Sequence, residues 1–197
     1  MPEKALSKQQ LREQARQRLA ALPAQRSDAD GAIVNQLVML CTSLGADAPL
    51  AAFMAIRGEP DISALLRRRL DAGRHILLPR YAADLGGYEM VRIQSLEADL
   101  TPGRYRIPEP IPSLPGLRPP FLCPSQPWLW LVPALAFDAH GHRLGRGAGF
   151  YDRLLHGADG VKIGVGYDCQ LADCLPCEAH DIAMDYIVTE SRILHCD

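Results

Sequence analysis

The chain has 197 residues, of which 48% are apolar and 22% charged, and its net charge is −2. That length supports one sizeable core, and the near-neutral balance excludes bulk attraction to nucleic acid, so any anion site must be local. No apolar run approaches the roughly 18 residues of a membrane span, and Met1-Pro2-Glu3-Lys4 leads into a charged segment rather than a signal-peptide core, so a cytoplasmic protein is expected.

Lys4 to Leu22 is expected to form an amphipathic helix, with Leu11, Ala15, Leu19 and Leu22 at helical spacing and Pro23 ending it. Ser27 followed by Asp30 looks like a capping box that opens a second helix. That helix carries Ile33, Val34, Leu37, Val38, Cys41 and Leu44 on one face. Leu50 to Ile56 reads as a buried strand. Asp61 caps a third helix that runs to Ala72 and stops at Gly73. His75 to Leu78 is a short strand closed by Pro79, and Tyr88 to Ile93 is another. Nine of the 16 prolines then fall between Pro102 and Pro127, as in a long extended connection over the surface. Trp128 to Val132 is a strand, Tyr151 to Leu155 a short helix, and Val161 to Tyr167 and Tyr186 to Val188 the last two strands. Helices alternating with short apolar strands imply an α/β fold, a single-domain sandwich over residues 1–197 with a mainly parallel sheet flanked by helices.

Ligands in such sheets bind beyond the carboxyl ends of the strands. Arg57 and Glu59 follow the first strand, Arg80 and Tyr81 the second, and Asp168 the Val161 strand. The run Arg143-Leu144-Gly145-Arg146-Gly147-Ala148-Gly149-Phe150-Tyr151-Asp152 follows the Trp128 strand. Glycine lets a backbone approach an anion closely, helix N-termini and successive N–H groups point at phosphate oxygens, and arginine adds permanently charged forked donors. The run is neither a Walker A loop nor a Rossmann fingerprint. Two roles fit it: a phosphate cradle, or a glycine-rich turn with exposed arginines.

Other candidates carry paired readings of the same kind. Lys4, Lys8, Arg12 and Arg16 recur by fours as a basic stripe, which is either an anion surface or a solvated helix face. Glu59 can accept two N–H bonds from a ring amide edge, or it is a plain loop residue. Asp152 with Asp185 suits a Mg²⁺ ion held together with substrate phosphates, although an Asp before a strand is commonly a turn residue. The cysteines Cys41, Cys123, Cys169, Cys174, Cys177 and Cys196 read as reduced thiols. Cys174-Leu175-Pro176-Cys177 with His180 has metal or redox spacing, but no second pair completes it and Pro176 favours a turn.

The segment Val132-Pro133-Ala134-Leu135-Ala136-Phe137-Asp138, with Gly141 and the Arg143 to Asp152 run, resembles the signature of the 5-formyltetrahydrofolate cyclo-ligase (methenyltetrahydrofolate synthetase) family. Lys8 with Leu11-Arg12, Gly58-Glu59, Leu78-Pro79-Arg80, Ile107-Pro108-Glu109-Pro110, His180-Asp181, Asp185 and Thr189-Glu190 match the same family in order and spacing. The resemblance implies ATP- and Mg²⁺-dependent closure of 5-formyltetrahydrofolate to 5,10-methenyltetrahydrofolate, on a fold like that of sugar-phosphate isomerases and CoA transferases. It implies ATP contacts from Lys8, Gln9, Gln10, Leu11 and Arg12 and from Arg143, Leu144, Gly145, Arg146, Gly147, Ala148, Gly149, Phe150 and Tyr151. It implies folate contacts from Met54, Glu59 and Arg146 to Phe150, with Arg146 and Lys8 acting in catalysis and Asp152 and Asp185 holding Mg²⁺. Its partners would be small molecules, with no nucleic acid or membrane, and the chain would be a monomer or a weak homo-oligomer. Ala148, Phe150 and the Trp128 to Trp130 lead-in depart from the family pattern. A sugar-phosphate isomerase, a CoA transferase or a non-catalytic folate- or nucleotide-binding protein are the alternatives.

Overall fold

The structure, a computed structural model, describes residues 6–23, 26–103, 107–117, 127–178 and 180–196. Lys4, where the first helix was expected to start, and Cys123 lie outside the described residues, as do parts of the proline-rich connection.

Helix α1, Lys8–Ala20, begins at a capping box in which the Ser7 hydroxyl accepts from Gln10 N (3.3 Å) and Ser7 N donates to Gln10 Oε1 (3.0 Å). Helix α2, Ser27–Gly45, buries Ile33, Val34, Leu37, Leu40 and Cys41. The box expected from Ser27 and Asp30 does not form: Arg26 is the N-cap and makes no side-chain cap bond. The Asp30 carboxylate instead accepts from the Tyr167 hydroxyl at 2.6 Å and from Asp61 N at 3.2 Å. Helix α3, Ser63–Asp71, is preceded by Asp61, whose carboxylate accepts from Ser63 N at 2.9 Å.

Eight strands form the main sheet: β1 Leu50–Ala51, β2 Ile76–Ala82, β3 Gly87–Ile93, β6 Gly116–Leu117, β7 Leu129–Pro133, β10 Val161–Val165, β11 Tyr186–Val188 and β12 Ile193–His195. Their order is β12-β11-β10-β7-β1-β2-β3-β6. The strands from β11 to β2 are parallel, and β12, β3 and β6 are antiparallel additions at the edges. Two small hairpin ladders lie outside it, β4 Leu100–Pro102 with β5 Pro108–Pro110, and β8 Ala136–Phe137 with β9 Arg143–Leu144. The short helix α4, Phe150–Leu155, follows the glycine run. The parallel strands are covered on both faces, which explains their continuous apolar runs. Leu50, Leu129, Leu131 and Ile163 belong to the core shared with α1 to α3, while Ala51, Trp130, Val132 and Ile187 pack with Leu154 and Leu155 of α4.

Two expected strand limits are corrected. The first strand stops at Ala51: Ala52 N still reaches Leu77 O (2.9 Å), and the chain then bends into a loop through Met54 and Glu59. The second strand runs through Pro79 to Ala82. Leu77 O faces β1, so two residues on the missing N–H of Pro79 also faces that side, where β1 has ended and no ladder bond is lost. Arg80 therefore lies inside β2 and not in a strand-end loop. Its guanidinium bonds Glu89 of β3 (2.7 Å) and Leu114 O (2.9 Å), fastening the proline-rich connection to the sheet. No helix of the described residues is long and apolar enough to cross a membrane.

Candidate active site

The glycine run is delivered by a turn built on one buried carboxylate. Asp138, fully buried, accepts from His140 N (3.1 Å), His142 N (3.0 Å) and Leu175 N (2.8 Å), and its other contact is His142 Nδ1 at 3.0 Å. These bonds close the turn between β8 and β9 and fix where Arg143 emerges. The Arg143 guanidinium is almost fully buried and donates to the Asp152 carboxylate and to Ile182 O, so it locks both ends of the run together. Between those ends Gly147 (φ 105°) and Gly149 (φ 62°) take backbone that side-chain-bearing residues rarely adopt, and Gly149 is the left-handed N-cap of α4.

Helix α1 lies against this loop. Arg12 Nε donates to Gly145 O at 3.0 Å, and its guanidinium sits 3.5 Å from where a side chain on Gly147 would begin. Lys8 Nζ lies between Glu178 (2.8 Å) and Asp181 (2.9 Å), whose bonds hold its pKa above the ordinary lysine value despite some desolvation. Gln10 is spent on the capping box, Gln9 is exposed, and Leu11 packs against the core. The basic stripe therefore divides: Lys8 and Arg12 face the loop and the 178–181 segment, while among the described residues Arg16 makes an exposed pair with Glu13 at 3.7 Å and no other ion pair. Lys4 lies outside the described residues.

Glu59 and Arg146 come together from loops 87 residues apart. The Glu59 side chain is only 8% exposed and accepts from Arg146 Nη2 (3.3 Å), Arg146 Nε (3.4 Å) and Ile56 N (3.2 Å). Burial pushes its carboxyl above the usual range, and Arg146 and the Ile56 amide offset only part of that shift. Arg146 also donates to Arg57 O at 3.4 Å and remains 41% exposed, so its outer edge faces solvent. Glu59 also lines a cleft of about 350 Å³, together with Met54, Ile56, Asp30, Tyr167 and Arg26. Arg146 thus ties the glycine loop to a carboxylate of this cleft.

Phe150 stacks tilted on Tyr88 of β3 with ring centroids 4.2 Å apart, and Tyr151 meets Phe150 edge-on at 4.6 Å. Desolvation, reinforced by the Glu59 charge, pushes the Tyr151 hydroxyl well up, so it stays a neutral donor. Asp152 and Asp185 have separate partners: Asp152 pairs with Arg143, and Asp185 Oδ2 accepts from Lys162 N at 2.7 Å. Asp168 N donates to Glu190, and the Asp168 carboxylate lies 3.6 Å from Arg192, outside the cleft lining. Among the described residues no three His, Cys, Asp or Glu side chains cluster as a metal site. Cys174 and Cys177 are exposed free thiols in an irregular segment pinned by the Leu175 N to Asp138 bond, and the turn expected at Pro176 does not form there.

The sequence model of the 5-formyltetrahydrofolate cyclo-ligase family matches residues 4–190. The chain belongs to this family. It is 38% identical over 155 residues to the 5-formyltetrahydrofolate cyclo-ligase of Mycolicibacterium smegmatis, covering 73% of this chain and 74% of the relative. It is 32% identical over 147 residues to that of Escherichia coli, covering 73% and 79%. The solved structure of Aquifex aeolicus 5,10-methenyltetrahydrofolate synthetase superposes with a TM-score of 0.80 at 29% identity, over 96% of this chain and 93% of that one. The α/β fold with its large, mainly parallel sheet is thus the fold of methenyltetrahydrofolate synthetases.

Within the cyclo-ligase frame, the lining also includes Arg26, Asp30, Asp61 and Tyr167, none of which the sequence marks as a site residue. Tyr167 stood at the carboxyl end of a strand, which was the available signal. Asp30 was assigned to a helix cap, and Arg26 sat in a stretch without a motif.

Proposed function

We propose that the chain catalyses the ATP-dependent cyclisation of 5-formyltetrahydrofolate to 5,10-methenyltetrahydrofolate, with release of ADP and phosphate. The observation that carries this reading is the Arg146–Glu59 pair, which joins a glycine-arginine loop suited to phosphates to a cleft suited to a fused ring with amide edges. The ATP phosphates lie along Gly145 to Tyr151, with Lys8 and Arg12 on the α1 side. The pteridine ring lies in the cleft near Met54, with its ring N–H donors on Glu59. Arg146 spans the point where the formyl oxygen meets the γ-phosphate.

A formamide oxygen is a poor leaving group. Its attack on the γ-phosphorus forms an O–P bond and breaks the bond to the ADP oxygen. The neighbouring folate nitrogen, N10, then attacks the formyl carbon, and the C–O bond breaks with phosphate leaving and the N10 proton lost to solvent. Phosphoryl transfer of this kind is mainly positioning and charge stabilisation, which backbone amides and guanidinium groups supply. Neither half of the reaction requires a covalent nucleophile from the protein.

Mg²⁺ is the natural companion of these phosphates, and one or two carboxylates commonly hold it. The donor set fits. Hydrogen bonds and ion pairs with described residues use one oxygen of Asp152 and one of Asp185, leaving the second oxygen of each for an ion. When bound, the ion would supply charge neutralisation on the phosphates.

Residues 1–197 act as one cytoplasmic domain, a monomer or weak homo-oligomer, in this reading, and the sheet and its helices are related to the sugar-phosphate isomerase and CoA-transferase type. The test is direct. Absorbance of methenyltetrahydrofolate should rise when ATP and Mg²⁺ are added to enzyme and 5-formyltetrahydrofolate, and no ATP-dependent rise would refute the assignment.

A further inference from the structure

Arg26 is the N-cap residue of α2 and lines the cleft. Its guanidinium lies 5.2 Å from the centroid of the Tyr167 ring. That ring is 1% exposed, and its hydroxyl is tied to Asp30 at 2.6 Å. The cation is therefore laid on a fixed aromatic surface. One of its nitrogens, Nη1, is shielded from water yet has no hydrogen-bond partner among the described residues. A shielded donor on a charged group is costly while it has no partner.

The other charged groups of the cleft are already engaged. Asp30 takes the Tyr167 hydroxyl and Asp61 N, Asp61 takes Ser63 N, and Glu59 takes Arg146 and Ile56 N. Arg26 alone lines the cleft as a cation without an ion pair among the described residues. Glu59 offers an acceptor for an N–H edge and Arg26 the one cation of the cleft lining among the described residues, so a ligand with one amide-rich end and one acidic end has a preferred orientation. Its N–H edge goes to Glu59 and its carboxylate to Arg26. A forked guanidinium matches a carboxylate with two parallel bonds.

We propose that Arg26 is a specificity residue that recognises a carboxylate of the glutamyl tail of the folate substrate. This rests on the cyclo-ligase reading. The test compares 5-formyltetrahydrofolate with 5-formyltetrahydropteroate, the same molecule without its glutamate. Loss of a charged hydrogen bond predicts that the wild type prefers the glutamate-bearing form by about 10- to 100-fold in kcat/KM. In Arg26→Gln that preference should shrink to within about threefold, with KM for ATP and kcat/KM on the pteroate form unchanged. Arg26→Lys, which keeps the charge without the fork, should fall between, and melting curves report whether each variant folds. Equal preference in the wild type and Arg26→Gln would overturn the proposal. If the wild type turns over neither compound, the cyclo-ligase reading fails instead. Calorimetric binding of the two folates to the wild type and Arg26→Gln then still decides whether Arg26 reads the tail.

Discussion

Glu59→Gln removes one charge from the point where the two proposed ligand sites meet, and its two consequences should have opposite signs. In the wild type the carboxylate is 8% exposed and holds Arg146 at 3.3 Å. A folate entering the cleft must take over that carboxylate, replacing the guanidinium with ring N–H donors. Hydrogen bonds to a charged acceptor contribute about 1.5–3 kcal/mol, and an amide oxygen recovers only part of that, so KM for the folate should rise about 10- to 100-fold. KM for ATP should stay level or fall, because Arg146 is released toward the phosphates. Stability should move the other way. Burial raises the folded pKa of Glu59 above its unfolded value. Such a group contributes stability below the unfolded pKa and loses it as pH rises through the folded pKa. The glutamine carries no such loss, so Glu59→Gln should melt higher than the wild type at about pH 8, with the gap closing toward about pH 4. Steady-state kinetics by methenyltetrahydrofolate absorbance and thermal melts across pH measure both. A folate KM within twofold of the wild type would refute the proposed contact, and a lower melting temperature at neutral pH would refute the claim that burial dominates.

Three further substitutions probe separate parts of the site. Arg146→Ala should lower turnover by roughly 10²–10³ with little change in melting temperature, since the side chain is 41% exposed; an unchanged kcat would remove it from the chemistry. Lys8→Ala should raise KM for ATP about 10-fold or more and leave KM for the folate near the wild-type value, as separate saturation curves would show. Asp138→Ala leaves three backbone N–H groups without their acceptor and should cost about 3 kcal/mol or more, read as a large drop in denaturation midpoint; a loss under about 1 kcal/mol would contradict its role in building the loop.

Local chemistry was legible and long-range partnership was not. Glycine and arginine types marked the loop after β9, and the position of Glu59 after an apolar run marked it as a strand-end carboxylate. Nothing local could pair Glu59 with Arg146, 87 residues on, or the Tyr167 hydroxyl with Asp30, 137 residues away. The latter bond is why Ser27 and Asp30 did not make the expected capping box: a tertiary acceptor role outcompeted a local one. Pro79 was misread because the rule that proline ends a strand presumes a neighbour on its N–H side, and β1 has already stopped there. The Ile193–His195 strand was missed because three residues show no usable period, and it exists through pairing with β11. The edge strands in the proline-rich connection were masked by their prolines, which edges tolerate.

The central claim is that ATP activates the formyl oxygen itself. With 5-formyltetrahydrofolate labelled by oxygen-18 in the formyl group, the account predicts that the released phosphate carries the label, one per methenyltetrahydrofolate formed. Unlabelled phosphate accompanying the same product would contradict it.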